Sequence, residues 1–287
     1  MNRHPKVCIL LATYNGARFL GALLDSLFAQ TYQQIRVIAH DDNSDDATVE
    51  ILAAYGSRYP EKIFLLEDTF AAGSAAKNFA YLAAYADAEC DYVMFCDQDD
   101  VWLPTKIEAT LAKMQEAEKD GPPVPLLVYT DASIVAEDLQ TTAASLYASR
   151  RQDRRTAADI RALAIENHIL GCTVMINRPL AALVRSMPEE AVMHDWWAAL
   201  MALKHGGRIV FLDEPTLLYR QHGNNVLGAP EINARHFFAK LLRIGAYAAA
   251  LRAVIRQMHK AGIVMPWYEI AGRKTMMILR RVFRAGL

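Results

Sequence analysis

The stretch FCDQDDVWLP, residues 95–104, sets three carboxylates, Asp97, Asp99 and Asp100, directly after the apolar run Tyr92, Val93, Met94 and Phe95. Acids bunched at the carboxyl end of a strand repel one another unless a cation, or a ligand bearing one, offsets the cost. Two further clusters follow strand-like runs: Asp41 and Asp42 after IRVIAH, and Asp131 after LLVYT. On a parallel sheet those ends share one edge, so the clusters converge there. Converging carboxylates with no matching lysine nearby point to a hard divalent cation, Mg²⁺ or Mn²⁺, which prefers oxygen ligands. DDNSDDAT also reads as a turn in which Ser44 or Asp45 caps the next helix, which leaves Asp42 unexplained.

The elements that must position these acids alternate. KVCILLA (6–12) precedes a helix through Phe19, Leu20, Leu23, Leu24, Leu27 and Phe28, and IRVIAH (35–40) precedes one near 46–58. KIFLLE (62–67) is followed by a helix near 74–86, and DYVMFC (91–96) by one from about Pro104 to Lys119. Strands separated by helices of this length imply right-handed crossovers and a doubly wound, mostly parallel α/β sheet flanked by helices. GPPVP (121–125) breaks the rhythm, because three prolines in five residues cannot continue a helix. Beyond it come strands near 126–136, 169–177, 208–212 and 217–222, an Arg-rich loop around RRQDRR (150–155), and a helix after HDWW at 194.

Past residue 233 the pattern changes. Phe237, Leu241, Ile244, Ala248, Leu251, Ile255 and Met258 form one apolar helical face, and a second helix spans Trp267 to about Arg284. From Arg235 onward eleven Lys and Arg stand against one acid, Glu269; the totals of 31 and 32 leave 20 basic and 31 acidic residues before it. The body therefore carries about −11 and the tail about +10. Such a tail either packs on the body or on a second copy of the chain, or lies on anionic lipid, where each Lys or Arg contributes up to ~1 kcal/mol.

With 53% hydrophobic and 22% charged residues, the chain is globular and shows no nucleic-acid-binding character. Cys8, Cys90, Cys96 and Cys172 show no C-x-x-C spacing and lie mostly in apolar runs, which favours reduced, buried thiols and a cytoplasmic setting. The N-terminal apolar run is strand-length, and no stretch reaches the roughly 18 apolar residues a spanning helix needs. Membrane contact, if any, is peripheral.

Two enzyme classes fit an apolar strand ending in D-x-D. A haloacid-dehalogenase-type phosphatase matches at Asp97, Asp99 and Val101, but needs that strand early, with its acid pair following; here Asp41 and Asp42 precede it. An EF-hand lacks its loop glycine and closing glutamate. The other class is carried by ATYNG (12–16), DDNSDDAT (41–48), CDQDD (96–100), MHDWW (193–197) and YRQH (219–222). In order and spacing these resemble family 2 inverting glycosyltransferases of the GT-A fold, over roughly residues 5–225. FCDQDDVWLP with HDWW and YRQHGNN resembles most the bacterial rhamnosyltransferases that use dTDP-L-rhamnose to build O-antigen or related polysaccharides.

The resemblance implies a nucleotide-sugar-binding half (1–121), an acceptor-binding and catalytic half of the same domain (122–232), and a basic helical tail (233–287). By it, Asp99 and His222 hold the metal, and Asp97 contacts the ribose or a metal-bound water. Thr13, Tyr14, Asn15, Asp42, Lys77 and Asn78 serve the nucleotide, with Asp42 accepting the N3–H that uracil and thymine share and Tyr14 offering a ring face. Asp195 is the general base on the acceptor side. Asp100, Gly171, Cys172, Trp196, Trp197 and Arg220 border the sugars. The implied donor is a dTDP- or UDP-sugar, with UDP-galactose as the alternative to dTDP-rhamnose. The acceptor is a saccharide, lipid-linked at the inner face of the plasma membrane. A non-catalytic nucleotide-sugar-binding protein would use the same cleft without turnover.

Overall fold

Val7–Thr13 (β1) is buried almost along its whole length, as a strand covered on both faces of a parallel sheet must be. It pairs in parallel with Ile35–Asp41 (β2) on one side and Tyr92–Asp97 (β4) on the other, while Ile63–Leu65 (β3) extends the sheet beyond β2. The register sets Thr13 opposite Asp41 and Ala12 opposite Asp97, so the first two acid clusters meet at one edge. The structure is a computed structural model that describes residues 4–66, 70–86, 89–119, 121–150, 157–223 and 244–285. Helices Ala17–Phe28 (α1), Thr48–Arg58 (α2), Ala75–Ala84 (α3) and Lys106–Glu118 (α4) follow the strands as the periodicity requires; α1 turns Leu20, Leu23, Leu24 and Leu27 into the core.

The sheet continues beyond β4 with a change of direction. Its order is β3-β2-β1-β4-β8-β6-β9-β5, with β5 (Val101–Trp102), β6 (Leu126–Val135), β8 (Val174–Asn177) and β9 (Arg208–Arg220); β7 (Thr141–Ala143) pairs with β6. β8 runs antiparallel to β4, so its start lies beside the carboxyl end of β4. The 3-10 turn Gly171–Thr173 therefore sits next to Asp97, where the sequence predicted a strand. The strands expected at 208–212 and 217–222 are one strand, β9, whose register against β6 shifts around Asp131. Its end pairs with β5, folding the Gln98–Asp100 turn back toward Arg220. Short helices Leu146–Ser149 (α5), Ile160–Leu163 (α6) and Arg178–Val184 (α7) precede His194–Lys204 (α8).

Two further expectations change. Cys8 and Cys90 form a disulfide, with Cα atoms 5.6 Å apart, because strand order makes β1 and β4 neighbours; Cys96 and Cys172 are the free, buried thiols. Neither Ser44 nor Asp45 caps α2. Its first turn is held by Asp46, which accepts from the Thr48 N–H at 3.0 Å. Ser44 Oγ accepts from the Asn15 N–H at 2.8 Å and the Asp45 N–H donates to Asn15 Oδ1 at 2.9 Å, fixing Asn15 at φ 47°.

The tail forms Ile244–Lys260 (α9) and Trp267–Ala285 (α10). Phe237 and Leu241 of the expected face, and residues 151–156 of the Arg-rich loop, lie outside the described residues. Val254, Met258, Ala261, Ile263, Met265 and Ile270 are buried in the same core as the sheet. Polar fasteners surround them: the Val192 N–H donates to Gln257 Oε1 at 2.7 Å, Lys260 pairs with Glu190 at 2.9 Å, and Arg161 with Glu269 at 2.6 Å. No helix among the described residues is long and apolar enough to cross a membrane. If the tail is part of the fold, Met258→Ala lowers the unfolding free energy by about 2–5 kcal/mol in urea titrations; an unchanged midpoint would make α9 an appendage.

Candidate active site

The floor of the cleft is the carboxyl edge of β1, β2 and β4. Thr13 Oγ1 donates to Asp41 Oδ1 at 2.8 Å, and Asp41 also accepts from Ser44 N–H at 2.8 Å and Ser44 Oγ at 2.6 Å. Asp42 accepts from the Ala72 N–H at 2.6 Å and the Gly73 N–H at 2.9 Å, which fastens the segment before α3 to the cleft rim. Tyr14 is clasped through its backbone by Gln98, whose side chain both accepts from and donates to it at 2.8 Å, leaving the ring exposed. Gly16 permits this clasp: a Cβ there would stand 2.2 Å from Gln98 Oε1. Asn78 is buried, 2.8 Å from His40 Nδ1, and so supports the floor from beneath. Lys77 is exposed and lines a groove with Phe70, Tyr81, Met187 and Glu189.

The three acids of the Asp97–Asp100 turn have different environments. Asp99 Oδ2 lies 2.8 Å from His222 Nε2, and the imidazole rests 4.8 Å from the Phe19 ring. Asp100 is fully buried; its Oδ1 accepts from the Arg220 N–H at 3.2 Å, while Oδ2 has no hydrogen-bond partner. Arg220 Nε donates to the Asp99 carbonyl at 2.8 Å, its Nη1 donates to the Glu137 carbonyl, and its guanidinium lies on the Phe19 ring. Arg220 is thus a clamp on the acid turn rather than a free sugar contact. Asp131, expected among the converging acids, instead accepts from the N–H groups of Leu146 and Tyr147 and from Ser145 Oγ at the start of α5.

A matching lysine does exist, which corrects the sequence reading. Lys106, at the first position of α4, is wholly buried; its Nζ donates to Thr216 Oγ1 at 3.3 Å and stands 4.7 Å over the Trp102 ring. Burial pulls the ammonium down to about 8 against the attraction of Cys172, Cys96 and Asp100. Burial also pushes Asp97 up to about 7, helped by Asp99 and Asp195, and holds Asp100 well above the ordinary carboxylate range, helped by Asp99 and Asp97. One donor atom each from Asp97, Asp100 and Cys172 lie within 4.8 Å of one another. Burial keeps the Cys172 thiol protonated, which makes it a poor ligand for a hard cation, while Asp99 and His222 form a second pair on the same turn.

Asp195 lies on the far side of Gly171, the second residue of α8, capped by no one and buried. Burial raises it to about 7, against hydrogen bonds from the Trp196 N–H at 2.6 Å, Asn167 and the Gly171 backbone. A Cβ on Gly171 would stand 2.5 Å from His194 Nε2 and 3.4 Å from Asp195 Oδ2, so glycine is what lets α8 approach. His194 is wedged against Phe79 and Phe95 at 3.9 and 4.5 Å, and burial lowers it to about 3, leaving it neutral. Trp196 and Trp197 do not offer the ring faces expected of them. The first nine residues of α8 are buried, so both tryptophans pack in the core and Trp196 Nε1 donates to the Leu163 carbonyl at 2.6 Å. Sequence reasoning missed Lys106, Gln98, Phe19 and His194; of these only Gln98, inside the acid turn, carried a signal.

Residues 8–176 match the sequence model of glycosyl transferase family 2. The chain belongs to glycosyl transferase family 2. The match excludes the phosphatase reading of Asp97. A family relative, the dTDP-rhamnosyl transferase RfbG of Shigella flexneri, is 28% identical over 82% of this chain and 78% of its own length. TuaG of Bacillus subtilis, named for teichuronic acid biosynthesis, is 28% identical over 78% of this chain and 82% of its own. Among solved GT-A glycosyltransferases, S. aureus TarS 1-349 in complex with UDP-GlcNAc superposes with a TM-score of 0.55 at 17% identity, covering 82% of this chain; the chain spans 64% of that TarS chain. The mannosyltransferase PcManGT of Pyrobaculum calidifontis, in complex with GDP-Man and Mn²⁺, gives 0.55 at 16% identity over 97% of this chain and 81% of its own. The fold of this glycosyltransferase is GT-A.

In this family member the buried Lys106 and Asp100 should be energetically coupled. No hydrogen bond joins them, since Lys106 Nζ donates to Thr216 Oγ1, so the coupling is a through-space attraction: Lys106→Met should cost about 1–3 kcal/mol, and Lys106→Met/Asp100→Asn should lose less than the sum of the two single variants. Simple additivity of the two single losses in a double-mutant cycle would show that the charges do not compensate each other.

Proposed function

We propose that this glycosyltransferase moves a sugar, with inversion, from a dTDP- or UDP-sugar to a saccharide acceptor in cell-surface polysaccharide or O-antigen synthesis, and that the sugar is L-rhamnose from dTDP-rhamnose. The observation that carries the reading is the gathering of Asp195 with the acids of the Asp97–Asp100 turn at one edge, where Asp97 feels the charges of both Asp99 and Asp195 and Asp99 is paired with His222. On this reading Asp99, His222 and Asp97 serve the donor, and Asp195, beside Gly171, serves the acceptor. The likeness to the rhamnosyl transferase supports rhamnose over UDP-galactose.

The donor's pyrimidine lies against the Tyr14 ring, with Thr13 and Asn15 shaping the turn beneath it and Asp42 accepting its N3–H. That acceptor is already oriented by the Ala72 and Gly73 N–H groups, so little reorganisation accompanies binding. Asp99 and His222, with Asp97 beside them, would hold Mg²⁺ or Mn²⁺, which would supply charge neutralisation for the departing diphosphate. Asp100, which accepts from the Arg220 N–H, keeps the turn in place rather than meeting the sugar. Asp195 takes the proton of the acceptor hydroxyl on the opposite side. Burial makes it a stronger base than an exposed carboxylate. The acceptor is lipid-linked and the enzyme peripheral at the inner face of the membrane, a reading supported by the charge split between body and tail.

The test is release of nucleoside diphosphate from dTDP-, UDP- and GDP-sugars in the presence of acceptor, with Mg²⁺ or Mn²⁺ and with chelator. Chelator-sensitive turnover of dTDP-rhamnose alone is expected; turnover of UDP-galactose would reassign the donor. Asp195→Asn should lower turnover by about 10²–10⁴-fold with nucleotide affinity nearly unchanged. Because the base works ionised and burial holds it near 7, turnover should rise with pH through about 7 and level off above it. An acid limb near 4, or loss of nucleotide binding in Asp195→Asn, would remove Asp195 from this role.

A further inference from the structure

The charged residues on the described turns of α10 point at the body. Glu269 meets Arg161, Arg273 meets Asp159 at 3.1 Å and Glu269 at 3.0 Å, and Lys274 Nζ donates to the Ile165 carbonyl at 3.4 Å. What they leave outward is uncharged: Trp267, Tyr268, Ala271, Gly272, Thr275 and Met276, all exposed, with Val264 on the turn before the helix. Val264 is 82% exposed, Trp267 79%, Tyr268 66% and Met276 52%, so large apolar side chains gather in water at one corner of the molecule. Such a patch on a folded chain marks an interaction surface.

We infer that this corner is the membrane anchor, with Trp267 and Tyr268 seated at the headgroup level of an anionic bilayer and α10 lying along the surface. The inference rests on the peripheral-membrane reading above and names the residues that would make the contact. Trp and Tyr combine an apolar body with a polar tip, which suits the boundary between headgroups and acyl chains. Beyond Met276 the sequence of α10 runs into Arg280, Arg281 and Arg284 with no acid, complementary to anionic lipid. The body, at about −11, is repelled by the same surface, so the charge split turns the tail toward it. Lying on the membrane is also the mode open to α10, since no described helix can span. A second copy of the chain is a poorer occupant: a specific protein interface uses about 20–30 residues a side, and the described patch offers seven.

The four tryptophans make the test selective. Trp102, Trp196 and Trp197 are 2%, 7% and 5% exposed, so Trp267 is the tryptophan able to meet lipid without unfolding. The full chain is mixed with vesicles of phosphatidylcholine, or of phosphatidylcholine with phosphatidylglycerol, carrying brominated acyl chains, and binding is read by sedimentation and tryptophan emission. The expected result is binding to the anionic vesicles, weakened by salt, with quenching of the emission. Trp267→Ala/Tyr268→Ala should weaken the partition about tenfold or more while thermal melting stays put. Wild-type protein that ignores anionic vesicles at low salt would overturn both the anchor and the peripheral-membrane reading. Undiminished binding by the double variant would overturn the anchor alone, as would self-association without vesicles that the double variant loses.

Discussion

The constraint on which the site depends is the repulsion among four carboxylates, Asp97, Asp99, Asp100 and Asp195, crowded at one edge of one sheet. Burial weakens the solvent screening that would otherwise let them share the space, and two of them are held near 7 as a result. The surrounding residues divide the charge. The Arg220 N–H donates to Asp100, and His222 meets Asp99. Asp97 and Asp195 have no cation paired with them in the described hydrogen bonds and ion pairs. In the proposed reaction a donor diphosphate with its cation would offset Asp97, and a proton from an acceptor hydroxyl would offset Asp195.

This division also explains why the sheet changes direction after β4. An antiparallel β8 starts at the edge where β4 ends, which brings Gly171 and Cys172 against the acid turn and lets α8 present Asp195 across them. The folded-back turn between β4 and β5 places Arg220 and His222 within reach of the acids although they lie about 120 residues further along the chain, at separations of 120 to 123. The tail then braces the approach to α8: Gln257 and Lys260 hold Val192 and Glu190, just ahead of His194.

The repeating βα units were legible because each strand is a short apolar run and each helix a regular stripe; the acids at the strand ends followed from topology. What escaped was tertiary. Lys106 reads as an ordinary first-turn lysine, and only the packing of α4 reveals that it is buried against Thr216 and Trp102. Cys8 and Cys90 meet because strand order skips from β1 to β4, which spacing cannot announce. Asp131 does lie on the sheet, yet the short helix after it takes up its carboxylate. Trp196 and Trp197 look like paired cleft aromatics until α8 proves covered on all sides. Asp42, Asn78 and Arg220, which the resemblance assigned to the nucleotide and the sugars, each spend hydrogen bonds on shaping the cleft, a role that residue type alone does not disclose.

In the proposed reaction the cation is received at Asp99 and His222, not among Asp97, Asp100 and Cys172. The direct measurement is an anomalous-scattering map from crystals soaked with Mn²⁺ and a nucleoside diphosphate. The account predicts a single peak within ligand distance of Asp99 and His222, with the hydrogen bond between them replaced by two bonds to the ion. A peak among Asp97, Asp100 and Cys172, or an Asp99–His222 contact unchanged with the diphosphate bound, would contradict it.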